Sequence, residues 1–159
     1  MGGSDAFVIL ADADIEKAAE MAVRARLQNN GQSCIAAKRF IIEASVADTF
    51  KRLVKSKLEA EIMGDPTEED TTIGTLAQPA FALVLEKQLK HGLEAGATLY
   101  CGGYLKDAFF APALVKVNSK DNVLFKEETF GPLMPVLAVH SEEEAIQVAN
   151  YTTFGLGAS

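Results

Sequence analysis

The stretch RFIIEASVADTFKRLVKSKLEAEI, residues 39–62, joins a short apolar strand to an amphipathic helix, and this pairing decides the fold class. Residues 39–43 are rich in β-branched and aromatic side chains, which favour a buried strand. The segment from Ser45 to Asp48 resembles a capping box, which predicts a helix that runs to about Ile62. The apolar side chains of that helix recur at helical spacing on one face: Val46, Phe50, Leu53, Val54 and Leu58.

The same order of strand and helix recurs on both sides of this stretch. Upstream, a predicted strand at residues 6–10 precedes a helix that Asp12 or Asp14 caps and that ends near Leu27. Downstream, the pattern predicts a helix at 79–94, strands at 98–101, 113–117 and 134–140, a helix at 142–151, and the beginning of a strand at 155–159. Alternating strands and helices favour one α/β domain over residues 1–159, a three-layer αβα sandwich with a largely parallel sheet.

The composition argues against several classes of partner. The 159 residues carry 15 Lys+Arg and 22 Asp+Glu, a net charge of -7, which argues against binding to a nucleic-acid backbone. No apolar run approaches the roughly 20 residues that cross a bilayer, so we expect a cytoplasmic protein that does not bind membranes. Cys34 and Cys101 are too few for a disulfide framework, and His91 and His140 stand alone, so the sequence offers no ligand set for a metal.

Cys34 is the main candidate for chemistry. It follows a polar segment that contains Gly31 and precedes a predicted helical turn at residues 35–38, and the N-terminus of a helix favours a thiolate. A thiolate is a nucleophile, and backbone N–H groups beside it can stabilise an oxyanion. The residues alone leave a second interpretation open, because a free cysteine is most often a small buried hydrophobe.

Four segments of the chain resemble, in the same order, motifs of the NAD(P)-dependent aldehyde dehydrogenases. The resemblance covers essentially all 159 residues, and residues 2–10 and 36–43 are most similar to the succinate-semialdehyde branch. The four segments are residues 2–5 (GGSD), which resemble the end of a Glu-Leu-Gly-Gly motif with Met1 in place of leucine; 29–34 (NNGQSC), which resemble the thiol loop; 127–132 (EETFGP), which resemble a Glu-Glu-x-Phe-Gly-Pro segment; and 150–156 (NYTTFGL), which resemble an Asn-x-x-x-(Tyr/Phe)-Gly-Leu segment.

The resemblance implies roles for three residues. Cys34 would attack the aldehyde to form a thiohemiacetal, hydride would pass to NAD or NADP, and water would hydrolyse the resulting thioester to the acid. Glu128 would bind the ribose hydroxyls of the nicotinamide nucleotide, and Phe130 would lie beside the nicotinamide ring. Both residue types suit these roles, because a carboxylate accepts hydrogen bonds from hydroxyls and an apolar ring shields a reactive group. Without the resemblance, Glu128 is more typical of a solvated loop and Phe130 of a core aromatic.

The resemblance also implies parts that residues 1–159 do not contain. The general-base glutamate would lie just before Met1, and the oxyanion asparagine and the Rossmann-type coenzyme domain would lie further upstream. The C-terminal end of the catalytic domain and the oligomerisation strands would follow Ser159. We therefore expect a partial catalytic domain, inactive alone, of a homo-oligomeric enzyme.

The succinate-semialdehyde resemblance implies a short aldehyde with a distal carboxylate, for which arginine is the usual partner. None of the arginines stands out for this task, since all of them lie on predicted helix or strand faces with equally good surface explanations: Arg24, Arg26, Arg39 and Arg52.

Two other functions fit the same pattern. A CoA-acylating relative would pass the thioester to CoA instead of water. A non-catalytic α/β binding or assembly domain would use Cys34 only for packing.

Overall fold

The computed structural model describes residues 2–159, and Met1, which stands in place of the family's leucine, lies outside them. The strands of the described chain are β1 (Asp5–Ile9), β2 (Ala37–Glu43), β3 (Thr98–Cys101), β4 (Leu105–Lys106), β5 (Phe109–Phe110), β6 (Ala113–Lys116) and β7 (Leu133–Val139). Its helices are α1 (Ile15–Leu27), α2 (Ala44–Glu59), α3 (Pro79–Glu94), α4 (Val123–Lys126) and α5 (Glu142–Ala149).

Five of the strands form one mostly parallel sheet in the order β1-β2-β7-β6-β3. The pairs β1–β2, β2–β7 and β6–β7 are parallel, whereas the edge strand β3 runs antiparallel to β6. Ser159 continues the sheet beyond β1, because its N–H donates to the Ala6 carbonyl at 2.9 Å and its carbonyl accepts from the Val8 N–H at 2.8 Å. The chain therefore does form strand-like hydrogen bonds where the sequence predicts the beginning of a strand.

Helices cover both faces of the sheet, and β2 shows why. Phe40, Ile41 and Ile42 are consecutive and fully buried. Phe40 and Ile42 pack with side chains of α1 and α2, whereas Ile41 packs on the other face with side chains of α3 and α5. A continuous apolar run of this kind is typical of a parallel strand that is buried on both sides. The predicted three-layer α/β sandwich is therefore confirmed.

Helix capping agrees with the sequence at two helices and differs at a third. The Asp14 side chain accepts a hydrogen bond from the Lys17 N–H at 3.1 Å, and Ser141 Oγ accepts one from the Glu144 N–H at 3.2 Å. The predicted cap at Ser45 is wrong, because β2 runs directly into α2, which begins at Ala44 without a side-chain cap.

The helical turn predicted after Cys34 is also wrong. The Ala36 N–H donates to the Ser33 carbonyl at 3.2 Å, which closes a tight turn, and β2 begins at Ala37. The turn is short because Ala37 already pairs with Asp5 of β1.

No helix within residues 2–159 has both the length and the apolar character that crossing a bilayer would require.

The two serines provide a matched test of helix capping. We expect Ser141→Ala to lower the free energy of unfolding by about 1 kcal/mol, because it removes a side-chain cap. Ser45→Ala should change it by less than about 0.5 kcal/mol, since an exposed serine inside the first turn caps nothing. Urea denaturation of both variants measures the difference, and equal destabilisation would contradict the assignment of the caps.

Candidate active site

The motifs singled out in the sequence meet at one edge of the sheet. Residues 2–4 lead into β1, residues 29–36 lead into β2, and residues 127–132 lead into β7. These three strands are parallel neighbours, so their amino ends lie along the same edge. Residues 155–157 reach the same edge next to β1, where the Gly157 N–H donates to Asp5 Oδ1 at 3.1 Å.

The thiol loop owes its shape to three consecutive residues in the left-handed region. Asn29 and Asn30 have φ angles of 52° and 55°, and Gly31 has a φ of 74°. Asparagine and glycine tolerate this conformation better than other residues. The amide side chain of Asn30 then donates to the Thr75 carbonyl at 3.1 Å, and Gln32 Oε1 accepts from the Ala77 N–H at 2.9 Å. The loop is therefore anchored to the segment that leads into α3.

Gly31 brings the thiol loop against the segment at residues 127–132. A Cβ on Gly31 would collide with the carbonyl group of Gly131. Gly131 in turn packs so closely on Leu85 of α3 that a Cβ there would collide with the leucine side chain. Gln88, one turn further along α3, donates to the Glu128 carbonyl at 3.1 Å. Glycine is thus required on both sides of the contact.

Cys34 and Glu128, two of the three residues assigned from the resemblance, lie on either side of Gly3. The Gly3 N–H donates to Glu128 Oε1 at 3.2 Å, and a Cβ on Gly3 would lie 2.6 Å from the Cys34 carbonyl oxygen. Cys34 is exposed, and 23% of the Glu128 side chain is accessible. The third residue, Phe130, is 40% exposed, so it is not the core aromatic that its residue type alone would suggest.

A buried arginine joins the thiol loop's strand to the segment at residues 127–132. Arg26, at the end of α1, is 0% exposed. Its Nη1 donates to the Ala37 carbonyl at 3.0 Å, and its Nη2 donates to the carbonyls of Thr129, at 2.6 Å, and Gly131. Burial lowers the pKa of Arg26 to about 9, and the carboxylate of Glu128 opposes that shift.

Lys38 makes a second connection between the same two segments. Only 1% of its side chain is exposed, and its Nζ donates to the carbonyls of Ser33 and Cys34, each at 2.9 Å. The same Nζ lies 3.4 Å from Glu128 Oε1. Burial and the nearby Arg26 lower the pKa of Lys38, whereas Glu128 raises it.

A third buried cation, Arg39, has a structural role. Its Nε donates to the Ser4 carbonyl at 2.9 Å, and its two terminal nitrogens donate to the carbonyls of Val148, at 3.0 Å, and Ala149, at 2.9 Å. Burial lowers the pKa of Arg39, and Asp5 opposes the shift. Arg39 therefore joins the segment before β1 to the end of α5.

The surface interpretation of Arg26 and Arg39 is consequently wrong, and sequence reasoning missed Lys38. For Arg26 a signal was present, because it continues the buried face of α1 at helical spacing after Ala19, Ala22 and Val23. For Lys38 the signal was its place inside a strand that is buried on both faces.

No group of three or more histidine, cysteine, aspartate or glutamate side chains is arranged to hold a metal within residues 2–159. A cavity of about 410 Å³ lies near the site, between β1, α5 and residues 152–158. Ser4 and Arg39 line it, whereas Cys34, Glu128 and Phe130 do not. The thiol therefore opens to solvent and not into this cavity.

The whole chain, residues 1–159, matches the sequence profile of the aldehyde dehydrogenase family. It is 44% identical over 162 residues to a succinate-semialdehyde dehydrogenase (NADP+) of Mycobacterium avium strain 104, which covers 100% of this chain and 34% of the relative. Its identity to the enzyme of the same name from Mycobacterium leprae strain TN is 41%, over 100% of this chain and 35% of the relative.

Among solved structures, the chain is similar to a succinate-semialdehyde dehydrogenase from Burkholderia pseudomallei, with a TM-score of 0.95 and 36% identity. That match covers 99% of this chain and 33% of the other. The chain thus spans about a third of the length of the relatives it matches.

Two glycines provide a matched test of the contact between the loops. Gly31→Ala should lower the free energy of unfolding by at least about 1–2 kcal/mol, because it places a Cβ at a left-handed φ and against the backbone of Gly131. Gly155→Ala should have a much smaller effect, since nothing lies within 4 Å of the Cβ it adds. Urea denaturation compares the two variants, and a tolerated Gly31→Ala would contradict the described loop.

The two thiols should differ in reactivity. Cys34 is exposed, whereas Cys101 is half-buried and burial raises the pKa of its thiol. We expect iodoacetamide at neutral pH to alkylate Cys34 at least about tenfold faster than Cys101. Peptide mass spectrometry over time measures both rates, and Cys101→Ser provides the control for assignment. Equal, slow labelling would favour a packing role for Cys34.

Proposed function

The chain belongs to the aldehyde dehydrogenase family, and we propose that it forms the thiol-bearing catalytic part of an enzyme that oxidises an aldehyde to its acid. The observation that carries the proposal is the convergence of an exposed Cys34 with Glu128 around Gly3. A nucleophile and a carboxylate that can hold a nucleotide are thereby fixed to one rigid sheet edge. Such convergence of polar groups from separate segments is typical of catalytic sites.

Cys34 supplies the nucleophile in this proposal. Its thiolate forms a C–S bond to the carbonyl carbon, and the carbonyl oxygen becomes an oxyanion that the backbone N–H of Cys34 can stabilise. Loss of hydride from that carbon leaves a thioester on Cys34. Attack by water then releases the carboxylic acid and restores the thiol. Each step needs access to the sulfur, and the exposure of Cys34 provides it.

Glu128 and Phe130 suit a nicotinamide nucleotide as the coenzyme. Glu128 Oε1 is occupied by Gly3 and Lys38, whereas Oε2 accepts no hydrogen bond from residues 2–159, so this oxygen remains for ribose hydroxyls. The partly exposed ring of Phe130 offers an apolar surface beside that carboxylate. When bound, the coenzyme accepts the hydride that the aldehyde carbon loses. NADP is our choice over NAD, because the relatives named above carry it in their names.

Succinate semialdehyde is the substrate we propose, since relatives at 41% and 44% identity are named for it. Because those relatives are about three times longer, we propose that a separate coenzyme domain and the general base lie outside residues 1–159. We also propose a cytoplasmic, homo-oligomeric enzyme. The free thiols of Cys34 and Cys101 suit the reducing conditions of the cytosol.

The intact enzyme that carries this chain tests the proposal. With succinate semialdehyde and NADP it should form NADPH and succinate. Cys34→Ser should lower kcat by at least about a thousandfold, because it removes the nucleophile. Cys101→Ser should leave kcat within about twofold. The 159-residue chain alone should form no NADPH.

Absorbance at 340 nm and mass spectrometry of the products follow this reaction. Formation of succinyl-CoA when CoA is added would assign the acylating reaction instead. Full activity of Cys34→Ser would overturn the role of the thiol. Absence of turnover with any aldehyde would favour a binding domain.

A further inference from the structure

One buried ammonium group lies close to all three residues to which the proposed function assigns a role. Lys38 Nζ donates to the Cys34 carbonyl at 2.9 Å, lies 3.4 Å from Glu128 Oε1, and lies 6.0 Å from the centroid of the Phe130 ring. We infer that Lys38 is a positioning residue that locks the thiol loop and the coenzyme carboxylate into one unit. The roles of Cys34 and Glu128 in this inference rest on the proposed function.

The hydrogen bonds of Lys38 hold the turn that carries the thiol. Its Nζ donates to the carbonyls of Ser33 and Cys34, both at 2.9 Å, and also lies 3.3 Å from that of Ala36. These carbonyls belong to the sulfur-bearing residue and its neighbours, and that of Ser33 also accepts from the Ala36 N–H at 3.2 Å. Buried backbone carbonyls that lose their donor destabilise the folded state. Lys38 therefore fixes the backbone from which the Cys34 side chain projects.

The charge of Lys38 explains why Glu128 belongs to the same unit. A buried ammonium is costly unless an anion compensates it. Arg26 adds a second buried positive charge nearby, and it lowers the pKa of Lys38, whereas Glu128 and Asp5 raise it. Glu128 is the one that reaches an ion-pair distance, 3.4 Å. The position of the carboxylate is thus set by the need to balance Lys38.

The two carboxylate oxygens of Glu128 have different surroundings. Gly3 N–H and Lys38 Nζ both approach Oε1, at 3.2 and 3.4 Å. A Cβ on Gly2 would lie 2.5 Å from Oε2, so glycine keeps the space beside that oxygen open. Oε1 is therefore the oxygen that the protein holds, and Oε2 is the one presented to a ligand. A change in the charge of Glu128 therefore alters the environment of Cys34 through the Lys38 ammonium group, which interacts with both residues.

The electrostatic link can be measured on the 159-residue chain without turnover. Iodoacetate is an anion and iodoacetamide is neutral, so the ratio of their rates at Cys34 reports the charge beside the sulfur. Lys38→Met should lower that ratio about threefold to tenfold, because it removes one positive charge. Glu128→Gln should raise it by a similar factor, and the double variant should return close to wild type. Lys51→Met is the matched control, since Lys51 is also buried but pairs with Asp48 on α2.

The test is decisive because Lys38→Met should lower the ratio of the two alkylation rates, whereas Glu128→Gln should raise it. A ratio in Lys38→Met equal to that of wild type and of Lys51→Met would overturn the inference. If Lys38→Met fails to fold by circular dichroism, Glu128→Gln still tests the link, because it replaces a partly exposed carboxylate by a neutral amide of the same size, whose oxygen can still accept from the Gly3 N–H. An unchanged ratio in Glu128→Gln would then overturn it. The ratio at Cys101 serves as the internal reference.

The consequence for the coenzyme is measured in the intact enzyme. Lys38→Met should raise KM for NADP about tenfold or more while KM for the aldehyde changes little, and Lys38→Arg, which keeps the charge, should recover part of that loss. Combining Lys38→Met with Glu128→Gln should cost no more than the worse single variant. Additive effects, or a rise in both KM values alike, would contradict coupling. If the labelling pattern holds but the enzyme oxidises no aldehyde, the proposed function fails and the link between Lys38 and Glu128 stands.

Discussion

The site depends on two buried cations whose partners are mostly backbone carbonyls. Arg26 and Lys38 together reach the segments at residues 33–37 and 128–131, which are far apart in the chain. Desolvating two such charges costs several kcal/mol each. Hydrogen bonds to these carbonyls offset part of that cost, although Arg26 Nε is buried without a partner within the described residues. The same hydrogen bonds fix both segments at once, and Glu128 supplies a compensating negative charge. Removing either cation would leave carbonyls unpaired, which is why we treat this network as the constraint on which the site rests.

The location of the site explains why cations are needed there. Ligand sites of open α/β sheets usually lie at the carboxyl ends of the strands. Here the chemically important segments precede β1, β2 and β7, so they lie at the amino ends. The thiol loop contributes three residues with positive φ and a tight turn, none of which pairs its carbonyls in a ladder. Lys38, from β2, donates to the carbonyls of Ser33 and Cys34 in the turn. Arg26, from α1, donates to carbonyls of the facing segment at residues 129–131.

Much of the fold could be predicted from the sequence, because the apolar residues that a helix or strand buries recur at a fixed spacing along the chain. The apolar run of β2 and the apolar faces of the helices predicted the layers correctly. The short elements β4, β5 and α4 were missed, since two to four residues are too few to show a period. Cys34 was a candidate nucleophile from the residues alone, whereas the roles of Glu128 and Phe130 came only from the resemblance, and all three roles stay predictions. Arg26, Lys38 and Arg39 were missed because a basic residue is exposed in most proteins, and only three-dimensional packing reveals the carbonyls that compensate it.

The residues that fix the backbone of the site lie on its buried side, whereas the thiol lies on its exposed side. The cations and Thr129 are buried beneath it, whereas Cys34, Ile35 and Phe130 are exposed above it. Ile35 is 60% exposed and Phe130 is 40% exposed, so two large apolar side chains are accessible on the segments that carry the thiol and Glu128. A coenzyme ring or a further protein segment that covered Ile35 and Phe130 would exclude water from the thiol. Such a cover would leave the hydrogen bonds of Arg26 in place, because these are made on the buried side, whereas the loop's own contacts through Asn30 and Gln32 lie at the surface.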